Sequence, residues 1–235
     1  MSKFKALQAL PAGRQEEKEW DSYWTKKQTF SQSIYRSIAS FYRQFIIKKA
    51  LNYFIKQEFK TSSKLLHAGS GGGQVDEDIV NNYDITALDI SSEALKLYER
   101  NNGKKAKLMK ASIFEIPAKP GTYDGIYNLG VLEHFTYDED VKILKELGRV
   151  LKPNGKIVLF WPPKFGPTVI FLNSAHFILN NILKRNIRLH PDEISLIESK
   201  KQVSEVLKAG GFKLTRFYFG PIGLFTYCVV VGKKA

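Results

Sequence analysis

Hydrophobic residues recur at two different spacings along the chain, and the spacing changes near residue 61. Between Glu16 and Phe59, aromatic and aliphatic side chains recur every three or four residues, which predicts amphipathic helix. Beyond residue 61, short apolar runs alternate with amphipathic stretches. We therefore divide the chain into an N-terminal helical extension, 1–60, and an α/β domain, 61–235.

Seven short apolar runs in the second part predict strands. They cover 64–68, 85–89, 106–111, 123–129, 156–161, 212–219 and 224–231. The intervening stretches predict helices that begin near Asp76 and at Ser91 or Ser92, and helices over 138–151 and 198–209. Residues 152–155 are typical of a turn. This alternation predicts a doubly wound, seven-stranded, mostly parallel sheet that closes with an antiparallel C-terminal hairpin.

Residues 162–200 interrupt the alternation after the fifth strand. Their pattern predicts a helical insertion of one or two amphipathic helices. Apolar side chains between Phe165 and Leu183 suit either a lid over the open end of the sheet or an ordinary helix packed on it. Lys184, Arg185 and Arg188 follow, so a lid of this kind would accept an apolar molecule with a negative group, including one at a membrane surface.

The composition is that of a globular protein. Hydrophobic residues make up 43% of the 235 residues, which excludes a wholly disordered chain. With Cys228 as the only cysteine, an internal disulfide and a Cys-based metal site are excluded, and the four histidines lack the spacing of metal ligands. The sequence shows no signal peptide and no apolar run that could span a bilayer, so we expect a cytoplasmic protein without a metal.

Basic residues are concentrated at the two ends of the chain. The net charge is +13, and it divides into +8 for residues 1–64, −2 for 65–160 and +7 for 161–235. Such flanks suit an acidic substrate, a nucleic acid or a membrane surface, or they serve only as a solvated surface.

A glycine-rich loop between the first strand and the next predicted helix carries the strongest chemical signal. Gly69, Gly71 and Gly73 allow a tight turn and close approach of a ligand to the backbone. Asp89 ends the next strand, 20 residues after Gly69, where a carboxylate can accept both ribose hydroxyls of an adenosine-bearing cofactor. The alternatives are a tight turn without a ligand and an aspartate that only caps a helix.

The spacing of this loop disagrees with two common nucleotide-binding motifs. The dinucleotide fingerprint requires glycine or alanine where Gln74 stands, and the P-loop requires a lysine that does not follow here. A nicotinamide oxidoreductase is therefore a disfavoured alternative.

Five segments, taken together, resemble the Rossmann-like S-adenosylmethionine-dependent methyltransferases. They are 67–73 and 88–91, similar to the family's first two motifs, 123–134 and 144–161, similar to its fourth- and fifth-strand motifs, and 207–212, which leads into the sixth strand. The resemblance implies methyl transfer from S-adenosylmethionine, and the apolar insertion with the basic residues after it favours a small-molecule acceptor that is acidic or lipid-like. His67 departs from the family, which usually has an acidic residue there, and we expect backbone groups of the loop to hold its ring.

The resemblance also implies roles for individual residues. Gly69, Ser70, Gly71 and Gly73 would pass beneath the methionine part of the cofactor, Asp89 would hold the ribose, and Ile90, Ser112 and Ile113 would surround the adenine. Asn128, Leu129 and Gly130 would follow the methionine arm, and Val131 and His134 would border the methyl group.

His134 is the candidate general base, because a histidine can accept a proton at neutral pH, and Glu133 is the less favoured one. Alternatively, both residues only cap the helix that follows. Tyr23, Trp24 or Tyr35 would fold over the cofactor, or pack in the core.

Two other functions remain open. The basic flanks suit an RNA or protein methyltransferase, although no RNA-binding module is recognised. The third possibility is a non-catalytic protein that binds S-adenosylmethionine, with His67 as the sign of lost activity. A membrane contact at the periphery is compatible with each of them.

Overall fold

The computed structural model describes residues 13–25, 41–167 and 193–235, and its centre is one seven-stranded sheet. The strands are β1 (Lys64–Ala68), β2 (Asp84–Asp89), β3 (Lys107–Lys110), β4 (Tyr123–Leu129), β5 (Leu151–Trp161), β6 (Phe212–Tyr218) and β7 (Cys228–Lys234). Their order across the sheet is β3-β2-β1-β4-β5-β7-β6. The first five strands are parallel, and β7 is antiparallel to both β5 and β6. The predicted fold class is confirmed.

Five α-helices accompany the sheet in the described part of the chain. They are α1 (Gly13–Thr25), α2 (Lys48–Glu58), α3 (Ser92–Asn102), α4 (Tyr137–Val150) and α5 (Lys200–Ala209), and a π-helical turn, Arg43–Ile47, leads directly into α2. Short 3₁₀ turns lie at Gly103–Lys105, Leu132–His134 and Pro221–Gly223. Tyr35 and most of the predicted insertion, 168–192, lie outside the described residues.

The sheet buries both of its faces, which is why its strands are apolar runs rather than alternating ones. Successive residues of a strand point to opposite faces. Leu66 of β1 accordingly joins a cluster with Leu144 and Leu147 of α4, while its neighbour Leu65 joins a cluster with Phe54 of α2. The sheet is thereby held rigid, and its loops are positioned at the carboxyl edge.

The helix predicted near Asp76 is absent. Residues 71–82 form a series of turns instead. Acidic residues favour the first turn of a helix, but Asp76 is fully buried and its carboxylate accepts hydrogen bonds from three side chains. The local charge pattern was therefore misleading, because these partners come from β1, α3 and β4.

Two further boundaries differ from the predictions. Residues 152–155 are not a separate turn but a bulge within β5, since Tyr123 pairs with Leu151 while Gly125 pairs with Lys156. Strand β7 begins at Cys228 rather than at 224, because the preceding residues are held in tight turns by backbone hydrogen bonds.

No helix among the described residues is both long and apolar enough to cross a membrane.

Candidate functional site

A cavity of about 330 Å³ opens at the carboxyl ends of β1, β2 and β4. Strand β1 has β2 on one side and β4 on the other. The order of the strands therefore changes direction at β1. Open α/β sheets bind their ligands at such switch points. The predicted site residues that line the cavity are Gly69, Ser70, Gly71, Gly73, Asp89, Ile90, Ser112, Ile113, Leu129, Gly130, Val131 and His134.

Two positions of the glycine-rich loop, Gly69 and Gly73, require glycine for two reasons. Their φ angles are +71° and +61°, in the left-handed region that other residues rarely adopt. A Cβ on Gly69 would lie 2.5 Å from Cγ2 of Val131, and one on Gly73 would lie 2.4 Å from Cδ2 of Tyr98. The amides of Gly69 and Ser70 both donate to the Leu88 carbonyl at 2.9 Å, so the loop is fixed to β2.

Asp89 joins this loop to the end of β2. Its Oδ2 accepts the Gly71 amide at 2.8 Å, and its Oδ1 accepts the Ser91 amide at 2.9 Å. Burial raises the pKa of this carboxyl, and the two amide hydrogen bonds act in the opposite direction. The N-cap of α3 is Ser91, whose Oγ accepts the Ala94 amide. Asp89 is therefore not a simple helix cap, and it lines the cavity with hydrogen-bonding capacity to spare.

His67 is held by a carboxylate and not, as expected, by the backbone of the loop. Its Nδ1 lies 2.6 Å from Oδ2 of Asp76, and the same oxygen accepts the Tyr98 hydroxyl at 2.6 Å and the Tyr127 hydroxyl at 3.0 Å. The His67 ring stacks on Tyr127, with the ring centres 4.3 Å apart. Burial and the Asp76 charge raise the pKa of both tyrosines. Asp76 thus places a carboxyl group next to His67, although it is not among the residues that line the cavity.

Aromatic residues of α1 close one side of the cavity. Trp20, Tyr23 and Trp24 line it, and Trp24 lies over the loop, with Cζ2 3.1 Å from where a Cβ of Gly71 would be. Helix α1 is fixed there because the Ser91 hydroxyl donates to Oδ1 of Asp21 at 2.5 Å. Tyr23 and Trp24 therefore lie at the cavity, and that they fold over the cofactor stays a prediction.

The opposite end of the cavity is polar. Arg43, Glu133, His134, Glu193 and Tyr227 line it. Burial raises the pKa of Glu133 to about 8, and the charges of Glu193 and Asp140 add to this rise. Within the described residues, Oε2 of Glu133 has no hydrogen-bond partner. A carboxyl with this pKa is largely protonated at neutral pH, so Glu133 is a poor general base there.

Neither Glu133 nor His134 caps α4. Thr136 precedes that helix, and its amide donates to the Glu139 carboxylate at 2.8 Å. Glu133 and His134 instead end the 3₁₀ turn Leu132–His134, and the His134 ring meets Trp20 edge-on with centres 5.4 Å apart.

No sequence pattern marked Arg43 or Tyr227 as a site residue. Arg43 begins the π-helical turn, a feature that recurs at functional sites but has no sequence signature. Asn128, by contrast, is buried in the sheet and is not among the residues that line the cavity. Among the described residues, its Nδ2 lacks a hydrogen-bond partner.

The raised pKa of Glu133 predicts a pH dependence of stability. The folded chain keeps this proton from about pH 4.5, where an unfolded glutamate loses it, up to about pH 8. Stability should therefore fall as the pH rises through this window, by about 1 kcal/mol per pH unit for this group. Urea unfolding of the Glu133→Gln variant between pH 5 and pH 8 should show a shallower decline than the unchanged chain. Asp140, whose pKa is also raised to about 8, leaves a residual slope. Equal slopes would contradict the prediction.

Comparison with known proteins agrees with this geometry. The family described as a methyltransferase domain matches residues 66–159. An uncharacterized protein of Methanocaldococcus jannaschii is 32% identical over 104 residues, which are 44% of this chain and 43% of that protein. The chain therefore spans less than half of that relative. The ubiquinone/menaquinone biosynthesis C-methyltransferase UbiE of Geotalea daltonii is 24% identical over 82% of this chain and 85% of its own.

Two solved structures share the fold. One is the 1,6-didemethyltoxoflavin-N1-methyltransferase of Burkholderia thailandensis with bound S-adenosylhomocysteine, with a TM-score of 0.63, 16% identity and coverage of 97% and 93% of the two chains. The other is magnesium protoporphyrin IX methyltransferase of Synechocystis, with a TM-score of 0.62, 15% identity and coverage of 95% and 96%. Residues 66–159 thus match a methyltransferase domain, and the chain has the fold of these two methyltransferases.

S-adenosylmethionine, the cofactor that the sequence predicts, fits the residues of the cavity. Gly69, Gly71 and Gly73 line the cavity, where they present backbone without side chains to a ligand. Asp89 presents carboxylate oxygens to hydroxyl groups, and the apolar side chains of Ile90 and Ile113 suit a purine ring. When bound, this cofactor supplies an activated methyl group on a sulfonium.

Proposed function

We propose that this protein transfers a methyl group from S-adenosylmethionine to a small, lipid-like acceptor with a planar ring and a polar or acidic group. The observation that carries the proposal is the division of the cavity. One end has the glycine-rich loop and Asp89, and the other has Arg43, Glu133, His134 and Tyr227. The first set of groups suits S-adenosylmethionine, and the second set suits the methyl acceptor.

Aromatic side chains support a planar acceptor. Trp20, Tyr23 and Phe135 line the same cavity, and aromatic faces and edges favour stacked or edge-on contact with another ring. Arg43 offers a guanidinium to an anionic or phenolic oxygen. The names of the relatives, which include ubiquinone and menaquinone biosynthesis enzymes, support a ring-containing, lipid-like acceptor.

In this proposal, the chain contributes mainly position and exclusion of water. Trp20 and Trp24 cover the cavity, and the rigid loop fixes the methyl donor, so that the acceptor atom can approach along the line of the breaking bond. His134 accepts the acceptor's proton where a hydroxyl must ionise, since Glu133 holds its own proton at neutral pH.

The first experiment is a calorimetric titration with S-adenosylmethionine, S-adenosylhomocysteine and NAD. We expect binding of the two sulfur compounds and none of NAD. The protein is then incubated with methyl-labelled S-adenosylmethionine and either a lipid extract, total RNA or a protein extract. Label in the solvent-extractable lipid fraction supports the proposal. Label in RNA or protein would instead support an RNA or protein methyltransferase. Binding of S-adenosylmethionine without methyl transfer would favour a non-catalytic protein.

A further inference from the structure

A band of exposed aromatic side chains runs along the outer side of the helix that contains α2. Phe41 and Phe45 are 64% and 47% exposed, and their ring centres are 4.3 Å apart. Lys49 and Tyr53 follow at the same four-residue spacing and are also exposed. Large apolar side chains clustered in water mark an interaction surface more often than single ones do.

The turn between β6 and β7 presents two more apolar side chains. Leu224 and Phe225 are 50% and 39% exposed. Their φ angles, +46° and +57°, lie in the left-handed region, which is unfavourable for residues other than glycine. Hydrogen bonds from the Leu224 amide to Pro221 and from the Phe225 amide to Gly220 fix this conformation. The backbone is thus held in an unfavourable form that keeps both side chains in water.

The band and the turn form one surface, which we call the aromatic face and define as Phe41, Phe45, Leu224 and Phe225. Tyr42 connects the two segments, because its hydroxyl bonds to the Gly223 carbonyl and to the Thr226 hydroxyl. Arg43, Ile47 and Tyr227, which are neighbours of these residues in sequence, line the cavity. The aromatic face therefore borders the polar end of the site.

The surroundings of the aromatic face are basic. Lys49 is exposed one turn after Phe45, whereas the exposed Lys56 and Lys60 lie three or more turns further along and away from the aromatic face. The one acidic residue between positions 41 and 60, Glu58, is paired with Lys156 at 2.8 Å and Arg216 at 3.1 Å. The whole chain has a net charge of +13. Aromatic and aliphatic side chains beside lysines are the composition of helices that lie at the surface of an anionic membrane.

We propose that the aromatic face docks on an anionic lipid bilayer, where the four apolar side chains enter the headgroup region and the adjacent Lys49 meets lipid phosphates. The charge favours this occupant over a second copy of the chain, whose own positive charge would oppose association. Docking would bring the cavity to the surface in which a lipid-like acceptor is dissolved. The inference deepens the proposed function and rests on it only for the nature of the acceptor.

Sedimentation with vesicles tests the proposal. We expect binding to vesicles of equal parts phosphatidylglycerol and phosphatidylcholine, weaker binding to phosphatidylcholine alone, and release by salt. The double variants Phe41→Ser/Phe45→Ser and Leu224→Ser/Phe225→Ser should each lose roughly tenfold or more in affinity. The matched control is Leu108→Ser, which removes a side chain that is 40% exposed on β3, at the opposite edge of the sheet, and should bind as the unchanged chain does.

Two results would overturn the docking proposal. One is absence of binding to the anionic vesicles, or an equal loss in the Leu108→Ser control. The other is a dimer, seen by sedimentation velocity, that either serine pair dissociates. The same variants are also titrated with S-adenosylhomocysteine in the absence of vesicles. This titration distinguishes the two proposals, because the cofactor site can be intact when docking fails and damaged when docking persists.

Discussion

The Asp89→Ala variant should lose at least about 100-fold in affinity for S-adenosylhomocysteine. The substitution removes the acceptor of the Gly71 and Ser91 amides, at 2.8 and 2.9 Å, and leaves both donors without that partner. It also removes the carboxylate proposed to receive the ribose hydroxyls. Each hydrogen bond to a charged group contributes about 1.5–3 kcal/mol, so the loss of the two bonds to the ribose hydroxyls accounts for the expected change in affinity. Calorimetric titration measures it directly.

Two further variants separate binding from folding. Asp89→Asn keeps one oxygen for an amide and should fall between the alanine variant and the unchanged chain. Asp84→Ala removes a carboxylate at the other end of β2, where it is exposed and paired with Lys107, and should leave affinity within about twofold. Unaltered affinity in Asp89→Ala would exclude Asp89 from the cofactor site.

The second large effect is expected on stability. Asp76→Ala should lower the free energy of unfolding by about 3–5 kcal/mol, because removing one member of a buried, hydrogen-bonded set leaves the others unpaired. The carboxylate is fully buried, and its Oδ2 accepts hydrogen bonds from the side chains of His67, Tyr98 and Tyr127. Urea unfolding followed by circular dichroism gives the value.

The neighbouring residue provides the control for this prediction. Glu77 is 69% exposed and pairs with Lys48 at 2.8 Å, so Glu77→Ala should cost less than about 1 kcal/mol. Tyr98→Phe removes only one of the three donors to Asp76 and should cost about 1 kcal/mol. If Asp76→Ala unfolds at the same urea concentration as Glu77→Ala, the buried set does not stabilise the fold.

Local sequence patterns were sufficient for the elements that surround the cofactor loop. The predicted 123–129 strand agrees with β4, and the predicted 64–68 strand agrees with β1. These strands are apolar runs with glycine at or near their ends, and both signals depend on neighbouring residues alone. The same is true of Ser91, whose side chain caps α3 as its position before the apolar periodicity predicts.

Patterns misled where a residue's partner is distant in the chain. Asp76 has the charge and position of a first-turn helix residue, but its partners are 9, 22 and 51 residues away. Leu224 belongs to an apolar run that predicts a strand, yet it is part of a turn that packs beside the helix containing Tyr42. Periodicity has no access to such contacts.

The sequence by itself determined the α/β architecture, the glycine-rich loop and the carboxylate at the end of β2, because hydrophobic spacing and glycine positions act within a few residues. Only the tertiary structure decided that Asp76 holds the His67 ring, that Arg43 and Tyr227 reach the cavity, and that burial raises the pKa of Glu133. These properties depend on burial and on contacts between elements far apart in the chain, and burial sets the electrostatic environment of each group.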